Sequence, residues 1–269
     1  MSVFAVQQGK SPIILAFPHT SAALPQGVRE RLNEIGQRLT DTDWHVHELY
    51  AGLLPDASTV RALFHRYVID ANRDPADVSL YPGQNTTGLV PRTDFDGQSI
   101  WRDGQAPDDA EIASRLELFH APYHAALAAE IARVKAQHGV AILFDCHSIR
   151  STVPFLFAGK LPDMNVGTVR GISCDAAIEA AVFDVARKAP GYSSVLNGRF
   201  KGGWTTRHYG RPQQNVHAIQ LELAQETHLG EERAPFALDG AKAARLRPHL
   251  AKMLERLEAI APELAKAAS

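Results

Sequence analysis

The chain has 269 residues, of which 45% are hydrophobic and 22% charged, with 19 Gly and 16 Pro. These ordinary globular values exclude a disordered, collagen-like or coiled-coil protein, and a chain of this length can bury a core without a disulfide or structural metal. The 28 Lys and Arg against 30 Asp and Glu give a net charge of -2, which excludes a broad positive field for nucleic acid or an anionic membrane.

Strands and helices alternate along the chain. In chain order, the patterns predict a strand at 11–17, helices at 28–39 and 44–54, a strand at 66–70, a helix at 108–138, a strand at 140–144, a helix at 175–188, a strand at 216–223 and a helix at 237–264. Residues 78–107 and 192–215 are Gly-rich and polar, and the first of them predicts an ordered irregular excursion near the site. This order predicts one α/β domain over residues 1–269, with a mainly parallel, mixed central sheet flanked by helices.

The number of cysteines and the hydropathy pattern indicate the cellular compartment in which we expect the protein. Cys146 and Cys174 are too few for a disulfide framework. The N-terminal sequence lacks the order of a signal peptide, and no apolar run approaches the ~18 residues that span a bilayer. We therefore expect a cytoplasmic protein that acts on a small-molecule substrate and binds neither nucleic acid nor a membrane.

Three polar clusters follow predicted strands: His19, residues 70–73 and residues 145–148. In open α/β sheets the crevice outside the carboxyl ends of the strands is where ligands bind. One His after a strand is more often structural than functional, but two with carboxylates nearby favour a metal site. Asp145 is placed to orient the ring of His147.

A catalytic zinc commonly takes three protein ligands, and two His with one carboxylate are a known set. The segment DTDWHVHEL offers the third ligand as Asp43, or as His45 and Glu48, which share a helix face. Asp43 fits the capping of a helix N-terminus equally well, so the third ligand stays open at this point.

Two further residues have side chains suited to the chemistry of an acidic substrate. Arg73 would present a planar fork for a carboxylate, although a salt bridge with Asp70 or Asp74 is an equal alternative. Glu222 stands in an otherwise apolar strand, where a carboxylate is costly without a task, and proton transfer to and from water would be such a task.

Motifs along nearly the whole chain resemble the N-formylglutamate amidohydrolase (deformylase) family: PHTSAALP, DTDWHVHELY, RYVIDANRDP, LYPGQNTTGL, PYHAAL, FDCHSIRS, NGRFKGGWTTRHYGRP and HAIQLELAQ. That family is distantly similar to zinc carboxypeptidases and aspartoacylases. The resemblance implies a fold like theirs, one zinc ion, and hydrolysis of N-formyl-L-glutamate to L-glutamate and formate in histidine degradation.

The resemblance also implies roles for single residues. It gives His19 and His147 as metal ligands, Asn72 with Arg73 as the carboxylate binder, and Glu222 as the general base. The distant relatives have a Glu three residues after the first His, where this chain has Ala22. The third ligand therefore comes from elsewhere; the Asp-x-Asp segment favours Asp43, with Glu48 and His45 as alternatives.

N-formylglutamate carries two carboxylates, so a second cation is needed. The Gly-rich segment offers Arg207 as the first choice, with Arg199 and Lys201 as alternatives. The rival hypotheses are a hydrolase of another N-acyl or N-formimidoyl amino acid and, from a different class, a non-catalytic acidic amino-acid binding protein that uses only the Arg residues.

Overall fold

The computed structural model describes residues 2–267. Its single sheet has seven strands: β1 Phe4–Gln7, β2 Ile13–Phe17, β3 Ser58–Ala62, β4 Ala141–Ile149, β5 Met164–Gly167, β6 Ser194–Leu196 and β7 Val216–Ala224. They are ordered β1-β3-β2-β4-β7-β5-β6, with β1 antiparallel to β3, β5 antiparallel to β7, and the other neighbours parallel. The predicted mixed, mainly parallel sheet is confirmed.

Helices cover both faces of the sheet. They are α1 Gln26–Arg29, α2 Glu34–Gln37, α3 Val46–Tyr50, α4 Asp109–Arg115, α5 Ala121–His138, α6 Ala176–Lys188, α7 Trp204–Tyr209 and α8 Gly240–Ala267, with a π-helical turn at Leu116–His120 between α4 and α5. One core lies between the sheet and α5, and the other between the sheet and α3, α6 and α8. Within residues 2–267, every helix is too short or too polar to cross a bilayer.

The two central strands set the geometry of the site. β4 and β7 are buried along their whole length and pair in parallel, with Asp145 opposite Gln220 and His147 opposite Glu222. Side chains alternate between the faces of a strand, so these four polar residues share one face. The predicted strand 140–144 is longer than expected, and His147 lies within β4 rather than in a loop after it.

Two predicted elements were wrong. Residues 66–70 form a turn instead of a strand, because the carbonyls of Tyr67 and Val68 accept hydrogen bonds from Arg115 and not from a sheet neighbour. The single helix expected at 28–39 is two short helices, since the side chain of Asn33 caps a new helix by accepting from Gly36 N. The predicted helix at 44–54 shortens to α3.

Residues 78–107 form the expected irregular excursion, without a helix or a strand. Carboxylates hold its backbone: Asp77 accepts from Leu89 N at 2.6 Å, and Asp94 accepts from Gln98 N at 2.8 Å. Such side-chain acceptors replace the ladder bonds that a strand would supply. The segment therefore keeps a defined shape where it reaches the site.

Acid should weaken the fold through His228, which is fully buried. Its Nε2 donates to Trp44 O at 3.0 Å, and burial lowers its pKa to about 4. Because the unfolded side chain titrates near 6.5, the unfolded state binds the extra proton first as the pH falls from 6.5 to 4. We expect His228 to cost about 2 kcal/mol of unfolding free energy at pH 5 relative to pH 7.

Urea unfolding at pH 5 and pH 7 would measure this loss. His228→Gln, which has no proton to gain in this range, should show a smaller difference between the two pH values than the parent. An identical pH dependence in both proteins would contradict the assignment.

Candidate active site

A cavity of about 240 Å³ opens at the carboxyl ends of β2, β4 and β7. Its polar lining includes His19, Arg66, Asn72, Arg73, His147, Arg199, Gln220 and Glu222, and residues of the segment 77–88 form another wall. Six of these were candidates from the sequence, Arg199 as an alternative for the second cation, and the structure brings them together. The crevice at the strand ends is where an open α/β sheet binds its ligand.

His19 and His147 line the cavity, and together with the buried Asp43, which is not among the lining residues, they offer three ligand atoms that lie within 4.8 Å of one another. Asp43 Oδ2 is 3.1 Å from His147 Nδ1 and 3.8 Å from His19 Nδ1. All three side chains are buried, and His19 Nδ1 has no hydrogen-bond partner. Two imidazole nitrogens and one carboxylate oxygen, converging on one point, suit a divalent metal such as zinc.

Carboxylates lie behind both rings. His19 Nε2 bonds Asp70 Oδ1 at 2.7 Å, and this bond leaves Nδ1 of His19 free to ligate a metal and raises its basicity. His147 Nε2 lies 3.0 Å from Asp145 Oδ1, which accepts no hydrogen bond from the described part of the chain, and 3.0 Å from Asn72 Nδ2, which donates to it. Nδ1 of each ring faces Asp43 Oδ2.

The electrostatics also fit a cation at this position. Burial lowers the pKa of His19, and the charge of Arg66 lowers it further, which keeps this ring neutral. Burial opposes charge on His147, but Asp145 and Asp43 outweigh it and raise its pKa well above the usual value. The site attracts positive charge, and metal binding to such a site displaces a proton.

The alternative third ligands point elsewhere. His45 Nδ1 bonds Glu48 Oε1 at 2.7 Å, and His45 Nε2 donates to Phe236 O at 3.0 Å. Both ring nitrogens and one carboxylate oxygen are thus engaged away from the cavity. Among residues 2–267, only the group His19, Asp43 and His147 has the spacing of a metal site.

Arg66 is a buried cation that sequence reasoning missed. Its Nη2 donates to Asp43 Oδ1 at 2.7 Å, so Asp43 keeps only Oδ2 for a metal. Its guanidinium carbon lies 4.9 Å from the ring centroid of Phe95. The sequence did contain a sign of this role: Arg66 begins the otherwise apolar run RYVID, and the predicted strand gave its charge no partner.

Glu222 is the acid-base candidate in the cavity wall. Only 7% of it is exposed, and burial, together with the charge of Asp43, raises its pKa to about 7 despite the opposing charges of His147 and Arg66. A carboxyl that titrates near neutral pH can both accept and return a proton. Its Oε2 accepts a hydrogen bond from Gln220 Nε2 at 3.0 Å.

Asn72 and Arg73 lie on the neighbouring wall. Asn72 Oδ1 accepts from Thr205 N at 2.8 Å, and its Nδ2 is 3.0 Å from His147 Nε2. Arg73 donates from Nε to Thr87 O at 2.9 Å, which fixes its guanidinium group in the lining. Its nearest carboxylate is Asp70, at 3.7 Å from Nη1, so the salt bridge does not occupy it fully.

The structure distinguishes the candidates for a second cation. Arg199 lines the cavity, where it donates to Leu156 O at 3.0 Å and to Asn85 O at 3.0 Å. Arg207 and Lys201 are not among the lining residues. Arg207 instead packs over the ring of Tyr81, on which Arg199 also packs, each at 5.2 Å from the centroid.

Comparison with known proteins decides the family. Residues 11–229 match the family model described as N-formylglutamate amidohydrolase. The chain belongs to the N-formylglutamate amidohydrolase family. The resemblance drawn from the sequence motifs is confirmed, and as a member of this family the chain is an amidohydrolase.

Curated relatives and solved structures agree with this family. The N-formylglutamate deformylase of Pseudomonas aeruginosa is 48% identical over 257 residues, which cover 95% of this chain and 96% of the relative. That of Pseudomonas putida is 45% identical over 256 residues, 95% of each chain. The crystal structure of an N-formylglutamate amidohydrolase from Ralstonia eutropha JMP134 has a TM-score of 0.75 at 20% identity and covers 100% of this chain and 99% of that one.

A protein from Agrobacterium tumefaciens has a TM-score of 0.72 at 18% identity, covering 97% of this chain and 96% of that one. At such identities the likeness shows the fold alone. It is the α/β fold expected for an N-formylglutamate amidohydrolase.

Proposed function

We propose that this protein hydrolyses N-formyl-L-glutamate to L-glutamate and formate, in histidine degradation, with one bound zinc ion. The observation that carries the proposal is one cavity lined by His19, His147, a carboxyl of raised pKa at Glu222, and the cations Arg73 and Arg199, with the buried Asp43 beside the two His. The relatives named N-formylglutamate deformylase support the substrate.

Each group has a task in this reaction. A zinc ion held by His19, Asp43 and His147 would polarise the formyl carbonyl and acidify water. Glu222 removes a proton from the attacking water and delivers it to the leaving amine nitrogen, which breaks the C–N bond and releases formate. No acyl-enzyme is needed, because water is the nucleophile.

Two cations hold the two carboxylates of the substrate. Asp70 contacts both Arg73 and the metal-binding His19, so Arg73 lies close to the metal-binding group. Arg73 therefore takes the α-carboxylate, which is beside the scissile bond. Arg199, held on the wall formed by Asn85 and Leu156, takes the γ-carboxylate and replaces Arg207 as the second cation. Fixing both ends orients the formyl group toward Glu222.

The substrate test compares four compounds with one protein preparation. We expect the highest kcat/KM with N-formyl-L-glutamate, and lower values with N-acetyl-L-glutamate, N-formimidoyl-L-glutamate and N-formyl-L-glutamine, measured as release of the acyl product. Equal or faster turnover of the acetyl or formimidoyl compound would assign the protein to that substrate instead.

Arg199→Met should lower kcat/KM for N-formyl-L-glutamate by roughly 10- to 100-fold, because a charged hydrogen-bonding partner of the γ-carboxylate is lost. The same variant should lose the preference over N-formyl-L-glutamine, which lacks that charge. Arg207→Met is the matched comparison, with a smaller fall and the preference intact. If Arg207→Met alone abolishes the preference, Arg207 is the γ-carboxylate binder.

A further inference from the structure

Gln220 lies on β7 two residues before Glu222, on the same face, and is 3% exposed. Its amide meets two groups: Gly203 N is 2.6 Å from Oε1, and Glu222 Oε2 is 3.0 Å from Nε2. A backbone N–H can only donate, so it fixes which end of the amide is oxygen. The NH₂ end therefore faces Glu222 and donates to its carboxylate.

Gly203 is held in this position by a close approach to Asn72. A Cβ on Gly203 would lie 2.3 Å from Asn72 Nδ2 and 2.6 Å from Asn72 Oδ1, so a larger residue would displace the Asn72 side chain. The next residues bind the same region: Thr205 N donates to Asn72 Oδ1 at 2.8 Å, and Thr206 Oγ1 donates to Asp145 Oδ2 at 3.3 Å.

The start of α7 thus contacts residues that serve three parts of the proposed site. Asn72 belongs to the substrate side, Asp145 lies 3.0 Å from the ring of His147, and Gln220 contacts Glu222. Only the contact through Gln220 reaches the acid-base group. The other oxygen of Glu222, Oε1, accepts no hydrogen bond from residues 2–267 and is left for water.

We infer that Gln220 is a positioning residue that holds the Glu222 carboxylate through its NH₂ group and ties it to Gly203 through its carbonyl oxygen. The hydrogen bond from Gln220 to Glu222 Oε2 orients the carboxylate so that Oε1 faces the attacking water. The hydrogen bond from Gly203 N fixes the position of the Gln220 amide. This role rests on the proposed function, in which Glu222 moves the protons.

Two variants separate the two bonds. Gln220→Glu keeps an acceptor for Gly203 N but, when ionised, has no donor for Glu222, whereas Gln220→Met has similar size and loses both bonds. We expect Gln220→Glu to lower kcat by about 10- to 100-fold with KM within about threefold of the parent. Gln220→Met should lower kcat similarly and also raise KM and the Kd of L-glutamate by more than about threefold, because the segment beside Asn72 is released.

Formate release gives kcat and KM, and calorimetric titration with L-glutamate gives a Kd that does not depend on turnover. Zinc content should stay at the parental value in both variants, since Gln220 contacts no metal ligand. Gln214→Glu, an exposed substitution just before β7, is the matched charge control and should leave all these values unchanged.

The outcomes separate the two proposals. A parent protein that releases no formate overturns the proposed function. An active parent with parental kcat in both Gln220 variants overturns the positioning role, and so does a fall in kcat that matches the unfolded fraction seen by circular dichroism. If Gln220→Glu does not fold, Gln220→Met decides: unchanged L-glutamate affinity with parental kcat contradicts the inference.

Discussion

Replacing Glu222 with Gln is expected to lower kcat for N-formyl-L-glutamate by roughly 10²- to 10⁴-fold, the range that general acid-base groups contribute. The amide keeps the size of the side chain but cannot accept a proton from water. Because Glu222 does not hold the substrate carboxylates, KM should change little. Steady-state formate release at pH 7 measures both constants.

Glu226→Gln is the matched control, because Glu226 follows β7 and pairs with Lys160 at 2.8 Å, outside the cavity. It should retain the parental kcat. Zinc content measured on Glu222→Gln should equal that of the parent, which separates loss of proton transfer from loss of metal. A Glu222→Gln protein with full kcat would remove Glu222 from the reaction.

Asp43→Asn should weaken zinc binding by more than about 100-fold, a larger loss than removal of an outer partner of a ligand causes. An amide oxygen is a poorer zinc ligand than a carboxylate, and the negative charge at the centre disappears. The amide can still accept from Arg66 Nη2, so the buried Arg66 is not left without a partner. Competition with a coloured chelator measures the affinity without reference to turnover.

Asp41→Asn serves as its control. Asp41 is also buried, but it accepts from Tyr67 Oη at 2.8 Å and from Phe95 N at 3.0 Å, away from the histidines. Its zinc affinity should match that of the parent. Equal zinc affinity in Asp43→Asn and the parent would mean that the third ligand is another residue.

The three central strands of the sheet, β2, β4 and β7, could be predicted from the sequence. The apolar runs at β2 and at the start of β4 indicate strands buried on both faces, and β7 is indicated by its alternation of residue types. The polar residues at their carboxyl ends then predict where the cavity lies. The strands β1, β5 and β6 were missed, because they have only three or four residues each, and β3 was missed because the strand was expected at 66–70 instead.

Other parts of the site depend on contacts between segments that are distant in sequence. Local sequence patterns contain no information about such contacts. The pairing of Arg66 with Asp43 requires a turn at 66–68 that the apolar run RYVID concealed. Arg199 and Arg207 stand in the same Gly-rich segment and pack equally close to Tyr81, so only the three-dimensional structure shows that Arg199, held by Leu156 O and Asn85 O, is the one that faces the cavity.

Formate release from N-formyl-L-glutamate by chelator-stripped protein, before and after addition of stoichiometric zinc, tests the central claim most directly. His147→Ala is measured alongside, with His249→Ala, whose ring packs on Tyr192 of another surface, as the matched control. The account predicts that stripping abolishes activity and that zinc restores it in the parent and in His249→Ala but not in His147→Ala. Full activity in the stripped protein, or equal restoration in His147→Ala, would contradict it.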